Sequence, residues 1–344
     1  MIKKRENKKI DTYILGVETS CDDTCASVVV NGRDILSNVS ASQNDIHKKY
    51  GGIVPEVASR RHIEMIDTVI QEALEQSRTG LEEIDAVSVT NRPGLIGSLL
   101  VGVCAAKAIS FVLDKPLIAV NHLEAHLYSN LLVNPGVQGG FLGLVVSGGH
   151  TSLYKVGKDW NIEEIGHTVD DAAGEAFDKI ARYLGLGYPG GLIIDRMAKK
   201  GDEKLVEFPR PMIENGNFNF SFSGLKTAVI YRIKKDKSLT VGKNMWHLIA
   251  GFQLAIVDVL VRKTVSAAKK HNIKKIFISG GVAANSRLRK EFLKEGRENK
   301  IEIYAPPLFL CTDNAPMVAC LGYHRFKRGL VDNLDIDVYS RSDL

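Results

Sequence analysis

The sequence is short of the features that mark secreted, membrane-spanning or strongly charged proteins. Its five cysteines, Cys21, Cys25, Cys104, Cys311 and Cys320, are odd in number, contain no C-x-x-C pair and follow no framework spacing. That argues against a disulfide scaffold and predicts reduced thiols in a cytoplasmic chain. Long apolar runs are missing too. The longest, Leu99 to Leu113, is about 15 residues with Lys107 inside it, short of a bilayer span, and predicts a core helix. The N-terminus is basic, yet the apolar run after it, Tyr13 to Val17, is too short for a signal-peptide core and stops at Glu18. No contact with a membrane is expected. Nor does either sign of charge dominate, since 45 basic residues against 40 acidic leave a formal +5. This permits an anionic partner without requiring one.

What the chain does have is length and internal order. At 344 residues it suits two lobes of ordinary domain size, and 44% hydrophobic with 25% charged residues is the composition of a globular protein. The basic residues cluster near Lys3–Lys9, Arg232–Lys237, Lys269–Lys275 and Arg325–Arg328. Such runs are either solvated faces or a nucleic-acid footprint.

Two devices occur twice. Tyr13 to Val30 reads as a strand, a small polar turn and a returning strand rich in β-branched residues, and Phe141 to Val156 repeats that grammar around Ser147-Gly148-Gly149-His150-Thr151. Ile84 to Thr90 is a short strand followed by Arg92-Pro93-Gly94 and a helical run; Ile276 to Ser279 is a strand followed by Gly280-Gly281 and a second helical run. The repeat predicts a duplicated α/β architecture of two similar lobes. Amphipathic helices are expected over Arg60–Ser77, Gly174–Leu186 and Trp246–Lys270, with a structured loop over Phe208–Phe222. Ser223 to Thr227 is not a phosphate loop, because Gly does not directly precede Lys226. The turns Glu18–Asp22 and Ser147–Thr151 bring backbone N–H groups toward an anion, and Gly280-Gly281 through Asn285 stands at a helix N-terminus that favours one.

The segment IAVNHLEAH places His122 and His126 four residues apart, one helical turn, so that both imidazoles can face one metal ion. The plain alternative is two unrelated histidines. Glu124 stands one place too late for the metallopeptidase signature, roughly 200° round the helix from His122. A third ligand can come from Asp313 in Cys311-Thr312-Asp313-Asn314, whose alternative job is the N-cap of the helix that follows. Two imidazoles and a carboxylate suit Fe(II) or Zn(II) with open positions.

These residues carry a resemblance. GVETSCDDT, YGGIVPEVASRRH, PGLIGSLLVG, NHLEAH, VSGGHT, DDAAGEAFDK, YPGG, FPRPM, FSFSGLKT, SGGVAAN and CTDN, in this order from about Tyr13 to about Arg328, resemble the tRNA N6-adenosine threonylcarbamoyltransferase family of the TsaD type. The resemblance implies the duplicated two-lobe α/β fold of actin, hexokinase and Hsp70, with a nucleotide cleft between lobes. The lobes are then residues 13–140 and 141–328, flanked by a flexible extension over 1–12 and a tail over 329–344. It implies transfer of threonylcarbamoyl from threonylcarbamoyl-adenylate to N6 of the adenosine 3′ of the anticodon in tRNAs reading codons that begin with A, releasing AMP. It further implies a metal site of His122, His126 and Asp313, with Fe(II) first and Zn(II) second. Adenylate contacts fall on Val145, Val146, Ser147, Gly148, Gly149, Asp178, Gly191, Asp195 and Asn285. The proton of the attacking amine needs a base, for which Asp22 or Glu18 is the expectation.

Expected partners are tRNA, a paralogous scaffold subunit that pairs through the N-terminal lobe, a small ATPase, and a separate enzyme that supplies the adenylate. Arg92 and Leu192 depart from the family's usual Gly and Pro. A catalytically silent scaffold and a sugar or acetate kinase of the same fold are the alternative readings; the first is opposed by the intact histidines, and the second does not need them.

Overall fold

The computed structural model describes residues 11–213 and 216–341. Residues 1–10 of the expected extension lie outside the described residues. Thr12, by contrast, is buried, its N–H donating to Asn31 Oδ1 at 3.1 Å and its hydroxyl accepting from Lys327 Nζ at 2.9 Å.

In chain order the strands are β1 (Tyr13–Glu18), β2 (Asp23–Val30), β3 (Asp34–Ile35), β4 (Val39–Ser42), β5 (Ala86–Arg92), β6 (Leu117–Asn121), β7 (Phe141–Val146), β8 (Thr151–Val156), β9 (Ile162–His167), β10 (Lys275–Ser279) and β11 (Glu302–Tyr304). The helices are α1 (Asn44–His47), α2 (Pro55–Ser77), α3 (Ile96–Leu113), α4 (His122–Val133), α5 (Ala173–Tyr183), α6 (Gly190–Ala198), α7 (Ser223–Lys235), α8 (Gly242–Lys270), α9 (Ser286–Asn299) and α10 (Ala315–Lys327). They fall into two compact units, one of residues 11–42, 55–128 and 314–341, the other of residues 43–54 and 129–313 with the gap at 214–215.

The duplication is visible in the sheets. The first runs β3-β2-β1-β5-β6 with β4 also on β2, and the second runs β9-β8-β7-β10-β11. In each, an antiparallel hairpin (β1–β2, β7–β8) continues into parallel neighbours (β1–β5–β6, β7–β10–β11). β1 and β2 are buried on both faces, which is why they read as continuous apolar runs rather than alternating ones. On one face, Leu15, Val17, Val28, Val87 and Val89 pack under Ile66 and Val69 of α2 and Leu99 and Val103 of α3. On the other lies α10, so close that a Cβ on Gly16 would stand 2.6 Å from the Ala315 carbonyl.

That position of α10 corrects the sequence boundary at residue 328. The helix belongs with the first unit because its apolar face, from Ala315 to Gly322, closes the second face of the first sheet. The tail is also built in: Asp332 pairs with Leu117 and accepts from the Ala119 N–H (2.8 Å), Asn91 Nδ2 donates to the Asp337 carbonyl (2.9 Å), Lys107 Nζ donates to the Ile336 carbonyl (2.6 Å), and Val338 joins the core. Residues 342–344 lie outside the described residues.

The core-helix expectation for Leu99–Leu113 holds for one face only. α3 is long and apolar enough, by length and composition, to cross a membrane, with mean hydropathy 2.1, yet only 33% of it is buried. Its exposed side carries Ile96, Leu100, Phe111 and Val112, the last two 74% and 78% exposed. The remaining helices appear where the periodicity put them, with α2 starting early at Pro55, a residue preorganised for a first helical turn. No disulfide joins the five cysteines.

The second unit has its own core around Leu142, Leu144, Phe177, Phe252, Ile278 and Phe292. α8 runs through it, held to the loop that precedes the 214–215 gap by Arg210, which bonds Asp258 at 2.8 Å and 3.0 Å.

Candidate active site

In the first unit, strand β6 ends at Asn121, whose Oδ1 accepts from the N–H groups of Leu123 (2.8 Å) and Glu124 (3.3 Å). This cap starts α4 at His122 and sets His126 one turn on. Both histidines are buried, and their rings meet edge to face with centroids 4.7 Å apart. Asp313 lies at the point where the chain re-enters the first unit. It is not the cap of α10: Asn314, one residue on, takes that job, accepting from the Met317 N–H at 3.0 Å. The ligand atoms of His122, His126 and Asp313 lie within 4.8 Å of one another. Two imidazoles and a carboxylate at that spacing have the donor chemistry for one divalent ion.

Glu18 was expected as an alternative base, and the structure gives it different surroundings. It is fully buried. Oε2 lies 2.9 Å from His122 Nδ1 and accepts from the Thr90 hydroxyl at 2.7 Å; Oε1 accepts from the Ser20 N–H at 2.6 Å. Ser20 Oγ stands 3.2 Å from the same imidazole nitrogen. A carboxylate on Nδ1 keeps a proton there, which leaves Nε2 as the lone-pair nitrogen; this is the carboxylate–histidine arrangement that orients metal ligands. Glu18 is therefore a positioning residue. Asp22 sits half-buried in the β1–β2 turn. That turn is held from α2 by His62, whose Nε2 lies 3.1 Å from the Cys21 carbonyl and whose Nδ1 lies 2.7 Å from Thr24 Oγ1.

Glu124 stands in the first turn of α4, two residues past His122. Burial pushes its carboxyl up, with the charges of Arg325 and Arg92 pulling it back. Arg92 thus has a partner in charge where the family usually has glycine. Leu192 is exposed on α6.

The second unit holds a second site, at the C-terminal ends of the parallel strands β7 and β10. Such ends are where open α/β sheets bind ligands. Gly280 approaches β7 so closely that a Cβ would stand 2.4 Å from the Val146 carbonyl, and its φ of +87° is one that L side chains rarely adopt. The Gly174 N–H, at the start of α5, donates to the Ser147 carbonyl at 3.1 Å. The starts of α5 and α9 are thus brought to the Ser147–Gly149 turn and the Gly280–Gly281 turn. Beside them, Asp195 of α6 accepts from the Ser286 hydroxyl (2.8 Å) and N–H (3.2 Å), and Lys199 pairs with its other oxygen at 3.1 Å.

The expected adenylate contacts divide into two groups. A Cβ added at Gly148, Gly149, Gly191 or Gly281 would meet nothing within 4 Å, so these glycines leave room beside backbone N–H groups. The side chains of Val145 and Val146 are in the core, so these two residues carry the turn and can offer a ligand only their backbone. Asp178 accepts from the Gly190 N–H at 2.6 Å and so holds the turn that opens α6; burial raises its carboxyl pKa, opposed by the Gly190 and Gly191 N–H groups. Asn285 is the cap of α9, its Oδ1 accepting from the Leu288 N–H (3.0 Å) and its Nδ2 donating to Gln253 Oε1 (2.9 Å). Sequence reasoning missed Ser20, Thr90, Gln253 and Ser286, single polar residues whose partners stand far off in the chain.

Two duplicated α/β units, the first carrying the buried His122 and His126 whose ligand atoms lie within 4.8 Å of that of Asp313, the second carrying glycine turns at parallel strand ends, define a protein of the actin-like fold class. Solved structures agree on the fold. The activator of 2-hydroxyisocaproyl-CoA dehydratase from Clostridium difficile superposes with TM-score 0.55 at 15% identity, covering 94% of this chain and all of that one. HypF from T. kodakarensis superposes with TM-score 0.63, covering 92% of this chain and 48% of its own. The sequence is more specific. The profile of the family described as tRNA N6-adenosine threonylcarbamoyltransferase, TsaD, matches residues 34–320. Proteins of that name from Thermotoga neapolitana and Syntrophus aciditrophicus are 50% and 49% identical, over 92% and 95% of this chain and 95% and 96% of theirs. The chain belongs to the tRNA N6-adenosine threonylcarbamoyltransferase family.

Proposed function

We propose that this chain transfers a threonylcarbamoyl group from threonylcarbamoyl-adenylate to N6 of the adenosine 3′ of the anticodon in tRNAs reading codons that begin with A. The observation that carries this, beside family membership, is the set of open glycines in the second unit, 148, 149 and 281 after strands β7 and β10 and 191 at the start of α6. Their N–H groups suit the adenylate phosphate, and the missing Cβ atoms give it room.

In the reaction, the N6 nitrogen forms a bond to the carbamoyl carbon, the bond from that carbon to the phosphate oxygen breaks, and AMP leaves with that electron pair. The attacking nitrogen loses one proton, and Asp22 in the β1–β2 turn is the proposed acceptor. His122, His126 and Asp313 would hold one divalent metal, Fe(II) with Zn(II) as the alternative. When bound, such an ion supplies Lewis-acid stabilisation of developing negative charge. Glu18 and Ser20 keep His122 in the tautomer that a metal needs. A cytoplasmic site of action follows from a tRNA substrate and thiols without disulfides.

A paralogous scaffold subunit is the proposed partner of the exposed Ile96, Leu100 and Phe111 side of α3, where an uncharged apolar stripe suits a similar stripe on another helix. The small ATPase remains a proposal from the resemblance alone.

The test is transfer in vitro. Purified chain with its scaffold and ATPase partners, tRNA and synthetic threonylcarbamoyl-adenylate should yield N6-threonylcarbamoyladenosine by nucleoside mass spectrometry, stoichiometric with AMP. No product with intact tRNA and donor would overturn the reading. ATP-dependent phosphorylation of a sugar or acetate would put a kinase in its place.

A further inference from the structure

We infer that a basic strip on the second unit, from the end of α6 across the start of α8 to the end of α7, is the surface on which this chain grips its RNA. The inference rests on the transfer reading above and adds to it the residues that hold the nucleic acid. α6 runs out into Lys199 and Lys200; α7 ends in Arg232, Lys234 and Lys235; the 3-10 turn Lys237–Thr240 then leads to α8.

Contacts between the elements join the pieces into one surface. Asn244 Nδ2 donates to the Ser238 carbonyl at 3.4 Å, the Asp202 N–H donates to His247 Nδ1 at 2.8 Å, and Lys200 Nζ lies 5.3 Å from the centroid of the Trp246 ring.

Charge is concentrated there. Residues 199–205 and 231–247 contain eight basic residues against three acidic, an excess as large as the formal +5 of the whole chain. Two of the three acids are turned to other tasks. Glu203 pairs with Arg287 at 2.9 Å, and Asp236 accepts from the Ser238 N–H at 3.0 Å to cap the 3-10 turn. Among the described residues, Lys199 is the strip's one basic side chain spent on an ion pair, to Asp195. By contrast, α9 interleaves its five lysines and arginines with Glu291, Glu295 and Glu298, which leaves it only +2.

Position separates this strip from Lys269–Lys275, a basic cluster with no acidic residue in it. Gln253, bonded to Asn285, marks the level of the glycine turns on α8. From there Lys243 is about 15 Å along the helix toward its start, and Lys269 is about 24 Å the other way. Lys275 opens β10 at the end opposite Gly280. Lys199, in contrast, is one turn beyond Asp195 and touches it. An RNA held on the α6–α8–α7 strip has its backbone beside the proposed donor site, whereas one held at Lys269–Lys275 does not.

RNA is favoured over an acidic protein because aromatic faces stand among the charges. Tyr231 is 68% exposed next to Arg232, and Trp246 is partly exposed under Lys200. Basic side chains neutralise phosphates while exposed rings stack on unpaired bases, the pattern of single-stranded loop recognition.

The test titrates the full chain into a fluorescent tRNA anticodon stem-loop at 50, 100 and 200 mM salt and follows anisotropy. The exposed pair Lys234→Glu with Lys235→Glu should weaken binding about tenfold or more and flatten the slope of log affinity against log salt by about 1 to 2. Lys269→Glu with Lys270→Glu changes net charge equally and should stay within about threefold of wild type. Equal losses in both variants, or none in the first, would overturn the strip, as would a wild-type chain that binds no RNA. Anionic vesicles that bind through Lys234 and Lys235 while RNA binding is untouched would reassign it to a membrane. Failure here separates cleanly from failure of the transfer reading: a Lys234→Glu, Lys235→Glu enzyme with unchanged KM for tRNA sinks the strip and leaves the activity, whereas RNA binding through the strip without transfer does the reverse.

Discussion

Replacing Glu18 by Gln tests the buried wiring of the metal site with the smallest change of shape. Glu18 accepts three donors on two oxygens: Ser20 N–H on Oε1, and Thr90 O–H with His122 Nδ1–H on Oε2. Glutamine offers one acceptor oxygen and one NH2. If its oxygen faces His122 and Thr90, its NH2 meets the Ser20 N–H at a spacing of 2.6 Å, donor against donor. If it turns round, the NH2 faces His122 Nδ1, and the ring must move its proton to Nε2, the nitrogen a metal needs. Either outcome leaves a buried donor unsatisfied, a cost of about 1–3 kcal/mol in stability. Loss of an orienting carboxylate typically lowers metal affinity about 10- to 100-fold. Zn(II) affinity by competition with a fluorescent chelator, read beside the thermal midpoint of the metal-stripped chain, measures both. Affinity within about twofold of wild type would refute the argument, and so would a tenfold loss that Thr90→Val, which leaves Glu18 in place, matches in full.

Three further outcomes follow. Gly149→Ala should keep the wild-type melting temperature and lose AMP and adenylate affinity by calorimetry, because its Cβ meets open space; Gly280→Ala should melt lower, because its Cβ meets the Val146 carbonyl at 2.4 Å. Burial pushes Asp171 up, but hydrogen bonds and charge from Lys179 (2.7 Å) and Lys226 (3.4 Å) outweigh it and hold the carboxyl below its usual value. Its stabilisation is therefore present above the unfolded pKa of about 3.9 and is lost as pH falls through the lower folded value, so denaturant midpoints of wild type and Asp171→Asn should differ at pH 7 and converge once the pH has fallen through that lower value. Truncation after Arg328 removes the bonds to Ala119 N, Asn91 and Lys107 and the burial of Val338, and should lower the melting temperature by several degrees, with Zn(II) affinity falling because β6 leads directly into His122.

Much of this was legible in order along the chain. Hairpins, strand–turn–helix units and the spacing of His122 and His126 are local patterns, and local patterns survive in a sequence. The cap of α10 was one residue off, because Asp313 and Asn314 have equal capping chemistry and only the Met317 N–H decides between them. Val145 and Val146 belong to the motif around the glycines, yet motif membership does not distinguish a residue that touches a ligand from one that carries the loop. The surroundings of Glu18 were illegible for a related reason: a carboxylate beside a turn reads as a base, and its three donors stand at positions 20, 90 and 122. The exposed side of α3 escaped notice because an apolar helix reads the same whether its second face meets core or partner.

The return of α10 to the first sheet bears on how the molecule is made. During synthesis β1, β2 and β5 emerge early, but the helix that covers one of their faces is not complete until residue 327 has left the ribosome. Until then that face of the sheet is apolar and uncovered, a state that exposes strands to wrong pairing. The second unit, whose residues 129–313 all precede α10, can fold first. Asp313 can join His122 and His126 only after it too has been made, so metal binding by all three would mark a polypeptide whose synthesis has passed residue 313.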